Sequence, residues 1–311
     1  MASLPVEKSQ EVPAAKSQQA AAAKSQEVPA EKSQVAASQQ GGEINEGIFT
    51  TMRQILDEKK VCHSHGIDHA MRVYAHAAKA LRCHNPALDR SIELAVLLAS
   101  LLHDMDDRKF FPSNRNYENA RALIRFFLYA GQSYVAGKPV EVVKTEIEEL
   151  AIKMIGLVSC SKNGDTILEE AKEKPWLLWP RYFDRLEAVG WIGVVRCWEY
   201  TLTAGRPLYL ATTPRARTGA EVLAIATAER AAAYKGDSAS MIDHYYDKLL
   251  HLVDVFAACK SGNEYIDLHA SLRRKPLLAV VMNYGMTGKL DDSDLTMARE
   301  AEKIEDFDCN V

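Results

Sequence analysis

Residues 94–104 have the sequence LAVLLASLLHD, in which nine residues with a single hydroxyl group lead directly into His103 and Asp104. Such a run is typical of a helix that is buried on all sides, and it is too short to cross a bilayer. Neighbouring side chains on a regular helix point about 100° apart, so His103 and Asp104 can converge on one ion most easily where the helix ends. We therefore predict a buried helix over residues 88–102 that presents a polar pair at its end.

Helical spacing continues on both sides of this run. Apolar residues recur every three or four positions in 44–56 and again in 73–81. Alternating strand patterns are hard to find, so the predicted fold class is all-α. Further helices are predicted for residues 117–130, 140–158, 182–200, 220–233 and 240–258, with loops near 131–139, 159–165 and 204–218.

The two ends of the chain differ from the middle. In residues 1–42 the triplet Lys-Ser-Gln recurs with an eight-residue period, and few large apolar side chains are available to offset the entropy of ordering. We predict a disordered low-complexity repeat tail there, a folded domain over 43–288 and an acidic C-terminal tail over 289–311. The four Ser-Gln pairs of the N-terminal tail are candidates for binding a protein partner, although a tail without a dedicated role is the favoured interpretation.

Composition excludes several classes of protein. The 311 residues carry 38 basic and 42 acidic side chains, which argues against broad attachment to nucleic acid or to an anionic membrane. The six cysteines form no close pair, so we expect reduced thiols rather than disulfides. No targeting segment or bilayer-crossing run is found, and the expected location is the cytoplasm, with the nucleus as the alternative.

Two further groups of polar residues interrupt apolar helical patterns. One face of the second predicted helix is rich in nitrogen, because it carries His65, His69, Arg72 and His76. Farther along the chain, Asp184 and Arg185 lie inside the otherwise apolar stretch 179–193. Charges rarely enter such a pattern unpaired, so both groups are candidates for a site that includes His103 and Asp104.

Together these residues resemble the HD-domain metal-dependent phosphohydrolases, and in particular a subgroup similar to bacterial HD-domain nucleotide pyrophosphohydrolases. The resemblance covers about residues 45–260, and four motifs carry it in order: HAMRV (69–73), LLHD (101–104), DRLEAVG (184–190) and HYYDKLL (244–250). It implies an all-α HD-domain helical bundle. The stretch WPRYF (179–183) departs from the subgroup, whose members tend to carry a second acid there, and this departure bears on the substrate.

The resemblance implies that one divalent metal ion is bound by His69, His103, Asp104 and Asp184. Two imidazoles with two carboxylates suit Mn²⁺ or Mg²⁺ best, with Fe²⁺ and Co²⁺ as alternatives, and a closed thiolate zinc site is not offered. Members with two metals use additional histidines between the His-Asp pair and the last Asp, and this sequence has none. We therefore predict a mononuclear site, and neither a two-iron oxygenase nor a binuclear cyclic-nucleotide phosphodiesterase.

Hydrolysis of a phosphate ester or anhydride also needs a base and several cations. Asp107 is the first candidate to orient or deprotonate the attacking water, and Asp106 is the second. The candidates for phosphate contacts are Arg72, Lys109, Arg185, His244 and Lys248, with Lys162 as a weaker one.

Structural alternatives stay open for several of these residues. Asp107 could end a helix or form a salt bridge, and Arg72 and Arg185 could pair with buried acids such as Glu187 or Asp104. His65 is expected either to orient a metal-binding side chain without binding the metal itself, or to lie on the surface. The four tryptophans, at 176, 179, 191 and 198, are expected in the core rather than beneath a base.

The predicted function is hydrolysis of a nucleotide phosphoanhydride to a monophosphate and pyrophosphate. The alternatives are a phosphomonoesterase acting on nucleoside monophosphates and a non-catalytic HD-fold binding or scaffold protein. The expected partner is a small phosphorylated substrate, and the sequence makes no prediction of oligomeric state.

Overall fold

The computed structural model describes residues 46–61, 65–130, 140–252 and 261–308. Within these ranges the regular structure is helical and contains no β-strand, so the predicted all-α fold class is confirmed. The predicted N-terminal tail, the loop 131–139 and the end of the helix predicted over 240–258 lie outside the described residues. None of the described helices combines the length and the apolar character that crossing a bilayer would require.

The helices are, in chain order, α1 Glu46–Glu58, α2 Ile67–Cys83, α3 Arg90–Leu102, α4 Glu118–Ala130, α5 Val140–Val158, α6 Cys160–Asn163, α7 Glu169–Glu173, a 3₁₀ turn Pro175–Leu178, α8 Trp179–Leu186, α9 Gly190–Thr203, α10 Gly219–Ile225, α11 Ala228–Ala233, α12 Met241–His244 with a π-helical continuation Tyr245–Leu249, α13 Glu264–Thr287 and α14 Asp292–Asp308.

Helix α3 forms the centre of the bundle. Every residue from Leu94 to Leu102 is buried, and the helix packs against α2, α5 and α8. The hydroxyl of Ser100 donates to the carbonyl of Val96 at 2.7 Å, so the one polar side chain in the run is satisfied within the helix. Because no side chain of Leu94–Leu102 is solvated, the first polar groups beyond this buried run occur at the C-terminal end of α3, among the surrounding helices.

The helix predicted over 182–200 is broken into two. Gly190 has φ +76°, and a Cβ atom there would lie 2.5 Å from Oε1 of Glu305 and 2.9 Å from Cγ of Arg273. Only glycine fits this backbone conformation and this space. The chain therefore turns after Glu187, and α8 and α9 leave the corner as separate helices, with α8 starting earlier than predicted, at Trp179. The predicted helix 220–233 is likewise divided, into α10 and α11.

Two C-terminal features differ from the sequence prediction. Helix α13 was not predicted, because its apolar residues are spread around the helix: Leu277 is buried whereas Leu268 and Leu272 are exposed. The acidic segment 289–311 was predicted as a peripheral tail, but α14 packs against α9 and buries Leu295 and Ala298. The prediction of a tail is therefore wrong for Asp292–Asp308, although Met297 and Ile304 on the same helix are exposed.

The four tryptophans lie in the hydrophobic core or pack against it. Trp179 and Trp198 are fully buried, and the indole nitrogen of Trp179 donates to the carbonyl of Ser261 at 2.9 Å. Trp176 and Trp191 are partly buried against the same core. These contacts fit the expectation that the cluster is structural.

Candidate metal centre

Four side chains from three parts of the chain converge at the end of α3. Nε2 of His69, on α2, lies 3.3 Å from Oδ1 of Asp184 on α8 and 3.9 Å from Oδ2 of Asp104. Nε2 of His103 lies 3.4 Å from Oδ2 of Asp104 and 3.7 Å from Oδ1 of Asp184. The ligand atoms of His69, His103 and Asp184 all lie within 4.8 Å of one another, a spacing that can hold one metal ion. We call these four residues the open cluster.

The backbone fixes which nitrogen His103 offers to the cluster. Its Nδ1 lies 2.9 Å from the carbonyl of Ser100, which can only accept, so Nδ1 carries a proton. In the neutral ring, Nε2 then carries a lone pair and faces two carboxylates. Nε2 of His103 is buried and has no hydrogen-bond partner among the described residues. This arrangement of donor atoms fits a cation, and a backbone carbonyl behind a ligating imidazole is the usual way to fix its tautomer.

The open cluster has excess negative charge. Burial favours the neutral forms of both acids, yet His103 and His69 hold the pKa values of Asp104 and Asp184 below their ordinary values. Burial also opposes charge on His103, but Asp104 and Asp184 outweigh it and raise its pKa to about 9. No lysine or arginine among the described residues forms an ion pair with Asp104 or Asp184.

A second polar group lies one turn farther along α2 and α8, around Glu187. Oε2 of this buried carboxylate accepts from Nε of Arg72 at 2.6 Å, and Oε1 lies 3.0 Å from Nε2 of His76 and 3.3 Å from Nη1 of Arg273. Burial opposes its charge, but His76, Arg273 and Arg72 together hold the pKa of Glu187 well below its usual value. We call Glu187, Arg72, His76 and Arg273 the closed cluster, because its carboxylate is fully partnered.

The end of α8 is secured by side chains from later helices. The carbonyl of Leu186 accepts from Arg273 at 2.8 Å, and the carbonyl of Glu187 accepts from Arg196 at 2.6 Å. These are carbonyls that a helix end leaves without an internal partner. Burial lowers the pKa of His69, and the positive charge of the nearby Arg196 lowers it further. The helix that carries Asp184 is thus held in place at its C-terminal end.

Two of the predicted catalytic acids have different surroundings. Asp106 accepts from the side chain of Asn114 at 2.5 Å and from the backbone amides of Asn119 and Ala120 at 3.1 and 2.9 Å. It therefore holds the first turn of α4, and its role as an alternative base stays a prediction. Oδ1 of Asp107 accepts from the backbone amide of Lys109 at 2.9 Å. Asp107 is partly buried and its Oδ2 takes no part in that turn, so its role as the base stays a prediction.

His65 and Lys109 lie on the side of the open cluster where Asp107 is found. The ring centroid of His65 is 6.5 Å from that of His69. Burial lowers the pKa of His65, with Asp104 opposing the shift and Lys109 adding to it. His65 is therefore a neighbour of the cluster, as expected, and the predicted phosphate contact at Lys109 stays a prediction.

The two predicted arginines both pair with acids. Arg72 binds Glu187, which is one of the alternatives left open by the sequence. Arg185 is buried, and it pairs with Asp165 at 2.9 Å and donates to the carbonyl of Gly164 at 2.8 Å. Because adjacent residues on a helix diverge, Asp184 faces the open cluster while Arg185 reaches the loop before α7. The structure does not bring Arg185 to the site.

His244 and Lys248 belong to a separate polar patch on α12. Nδ1 of His244 lies 3.4 Å from the hydroxyl of Ser238, and Nζ of Lys248 lies 5.7 Å from the ring centroid of Tyr234. Burial, with a smaller contribution from Lys248, lowers the pKa of His244 to about 4. Among the described residues, no hydrogen bond or ion pair joins this patch to the open cluster, so its part in phosphate binding stays a prediction.

Sequence reasoning missed the closed cluster as a unit. His76 was placed on the correct face of α2 but received no role, and Glu187 was named only as a possible partner of Arg72 or Arg185. A signal was present: Glu187 follows Asp184 by three residues, and Arg72 and His76 follow His69 by three and seven. Residues so spaced share a helix face, so two pairs of facing residues could have been expected.

Comparisons with known proteins place the chain in a family. No protein-family model matches it. It is 39% identical over 238 residues to the uncharacterised protein L803 of Acanthamoeba polyphaga mimivirus, a match that covers 75% of this chain and 93% of L803.

Three solved structures are similar in fold. A protein of Lactobacillus plantarum has a TM-score of 0.47 at 23% identity, over 78% of this chain and 97% of that one. A structure described as an HD-superfamily hydrolase of Bacillus thuringiensis has a TM-score of 0.47 at 19% identity, over 77% of this chain and 93% of that one. The Lin1889 protein of Listeria innocua has a TM-score of 0.44 at 18% identity, over 79% of this chain and 98% of that one.

Helices α2, α3 and α8 bring the residues of three of the quoted motifs together in an all-α structure. The identity with L803 spans nearly the whole of that protein. The chain therefore belongs to the family of the mimivirus protein L803.

Proposed function

We propose that the chain is a metal-dependent phosphohydrolase that binds one divalent ion, Mn²⁺ or Mg²⁺, with Fe²⁺ and Co²⁺ as alternatives, through His69, His103, Asp104 and Asp184. Its proposed substrate is a nucleotide, whose phosphoanhydride is cleaved to a monophosphate and pyrophosphate. The proposal depends above all on Nε2 of His103, which faces two carboxylates in a buried site and has no hydrogen-bond partner among the described residues.

Bound there, a divalent cation would supply Lewis-acid neutralisation of phosphate charge and a more acidic water. The chain supplies the remaining groups. Oδ2 of Asp107 accepts a proton from the water as its oxygen bonds to phosphorus, while the bond from phosphorus to the leaving oxygen breaks. Lys109 and Arg72 bind the phosphate oxygens, and Glu187 keeps Arg72 extended towards the site.

The test is a screen of nucleotides and other phosphorylated metabolites with each of the four metals, with mass spectrometry of both products. Pyrophosphate and a monophosphate are expected from a nucleoside triphosphate. Orthophosphate from monophosphates would instead indicate a phosphomonoesterase. Metal binding without turnover of any compound would contradict the proposal and favour a binding or scaffold role.

The base is tested by a matched pair of variants. Asp107→Asn is expected to lower kcat by about 10²- to 10⁴-fold, the usual contribution of a positioned general base, with metal affinity unchanged. Asp106→Asn should instead lower thermal stability, because it weakens the start of α4. Unchanged kcat in Asp107→Asn would exclude that residue as the base.

A further inference from the structure

Helices α2 and α8 meet at two successive levels. At the first level, His69 on α2 faces Asp184 on α8 at 3.3 Å. At the second level, Arg72 and His76 on α2 bind Glu187 at the end of α8, at 2.6 and 3.0 Å. The first level belongs to the open cluster and the second to the closed cluster. The spacing of the two clusters is set by the helical repeat, since the residues involved are three to seven positions apart on each helix.

The contacts at the two levels differ in strength. The His69–Asp184 contact is a single 3.3 Å approach to a carboxylate that is 34% exposed, and no lysine or arginine among the described residues pairs with that carboxylate. Glu187 is bound by two guanidinium groups and an imidazole while 1% exposed, so its geometry is fixed from three sides. Charge-assisted hydrogen bonds in a buried site are short and directional. The second level is therefore the one that sets how α2 and α8 face each other.

Proton positions in the closed cluster are also determined. Glu187 only accepts, so Nε2 of His76 donates to it; Nδ1 of the neutral ring then accepts from the hydroxyl of Tyr265 at 2.7 Å. Tyr265 lies at the start of α13, and Arg273 on the same helix reaches both the side chain of Glu187 and the carbonyl of Leu186. Helix α13 therefore holds α2 and α8 together from behind.

We propose that Glu187 is a positioning residue for the metal: through Arg72, His76 and Arg273 it fixes the register of α2 against α8, and so the distance between the His69 and Asp184 ligand atoms. The inference rests on the metal site of the proposed function. It assigns Glu187 no contact with metal or substrate. Outer partners of metal ligands usually contribute about 10- to 100-fold in metal affinity, and we expect a change in that range.

The chain contains a matched control. Glu148 on α5 is also a buried glutamate bound by two arginines, Arg121 at 2.7 Å and Arg125 at 2.8 and 2.9 Å. Both arginines lie on α4, which carries none of the four open-cluster residues. Glu148→Gln therefore removes an equivalent ion pair without touching the contact between α2 and α8. Loss of stability alone affects both variants, whereas loss of positioning affects only one.

The experiment measures the dissociation constant of Mn²⁺ by calorimetry for full-length wild type, Glu187→Gln and Glu148→Gln, well below the melting temperature of each. We expect a 10- to 100-fold weaker affinity in Glu187→Gln and less than a twofold change in Glu148→Gln. Arg72→Gln, which removes one partly exposed arm of the same cluster, provides the same measurement should Glu187→Gln fail to fold.

Affinities within twofold of wild type in Glu187→Gln or, if that variant does not fold, in Arg72→Gln would overturn the inference. Equal losses in the Glu187 and Glu148 variants would also overturn it, because they would show a general effect of stability. A wild type that binds Mn²⁺ but hydrolyses nothing would overturn the proposed function and leave the positioning role supported. A wild type that binds no Mn²⁺ would overturn both.

Discussion

The open and closed clusters both join α2 to the α8 segment, but they differ in residue types and in how their charge is balanced. In the closed cluster one carboxylate, Glu187, has two arginines and a histidine around it. In the open cluster two carboxylates, Asp104 and Asp184, have two histidines and no lysine or arginine among the described residues. A buried charge without a partner is costly, so the open cluster needs a further positive charge and the closed cluster does not.

The comparison separates a structural site from a functional one. A completed ion-pair network stabilises a unique arrangement of helices, and its carboxylate can bind no further cation. An incomplete ion-pair network can still bind an added cation. The carboxylates also differ in exposure, because the Glu187 side chain is 1% exposed whereas those of Asp104 and Asp184 are 21% and 34% exposed. The deciding difference is the balance of fixed charges around each carboxylate.

Breaking the closed cluster should produce the largest change in stability. Arg273→Met removes the cation that joins Glu187 to α13, and leaves Glu187 with only Arg72 and His76. Breaking a buried ion pair by removing one partner typically costs about 3–5 kcal/mol, and we expect a loss in that range in urea unfolding of the metal-free protein. A loss below about 1 kcal/mol would show that Arg72 and His76 alone complete the cluster.

Removing a carboxylate from the open cluster should weaken metal binding without lowering the stability of the metal-free protein. Asp184→Asn is expected to weaken Mn²⁺ binding by more than about 100-fold, beyond the effect of an outer partner, because it removes a ligand. The free energy of unfolding without metal should stay the same or rise, because Asp104 loses a nearby like charge. Calorimetry and urea unfolding with a chelator test both parts. A large loss of metal-free stability would mean that the open cluster is structural.

Metal should stabilise the wild type. Mn²⁺ at 100 times its dissociation constant is expected to add about 2.7 kcal/mol to the free energy of unfolding, provided that only the folded state binds. Asp184→Asn at the same concentration should show no such gain, and Glu148→Gln should show the full gain. Equal stabilisation of the wild type and Asp184→Asn would place the bound ion elsewhere.

Acid should reduce stability by a smaller amount through His269 on α13, whose ring centroid lies 6.3 Å from that of His76 in the closed cluster. Burial, with contributions from Arg273 and His76, lowers the pKa of His269 to about 4, below the ordinary 6.5. A folded-state pKa below the unfolded value means that stabilisation is present above pH 6.5 and is lost as the pH falls towards 4. Urea midpoints measured from pH 7 to 4 should therefore decline, and less steeply in His269→Gln. Identical slopes would show that His269 does not contribute.

Much of this site could be predicted from local sequence. The buried run before His103 predicts both a central helix and a polar pair at its end, and α3 confirms this. Helical spacing placed His69, Arg72 and His76 on one face of α2, where they lie. These features depend on short stretches of chain, for which periodicity is informative.

The rest depends on contacts between distant residues. Glu305 lies against the corner at Gly190, and a residue more than a hundred positions away cannot be inferred from spacing. Helix α13 was missed because its apolar residues surround it, and Arg185 was assigned to phosphate because its partner, Asp165, lies in a loop. In each case tertiary context decides between equal local alternatives.

The contact between Glu305 and the amide of Ile192, at 3.2 Å, spans 113 residues of sequence. The ribosome releases the N-terminal part of a chain first, so all four open-cluster residues emerge long before the helix that braces the Gly190 corner. We expect metal uptake to follow translation rather than accompany it. A nascent polypeptide arrested before Asp292 would carry every ligand side chain and still lack this brace.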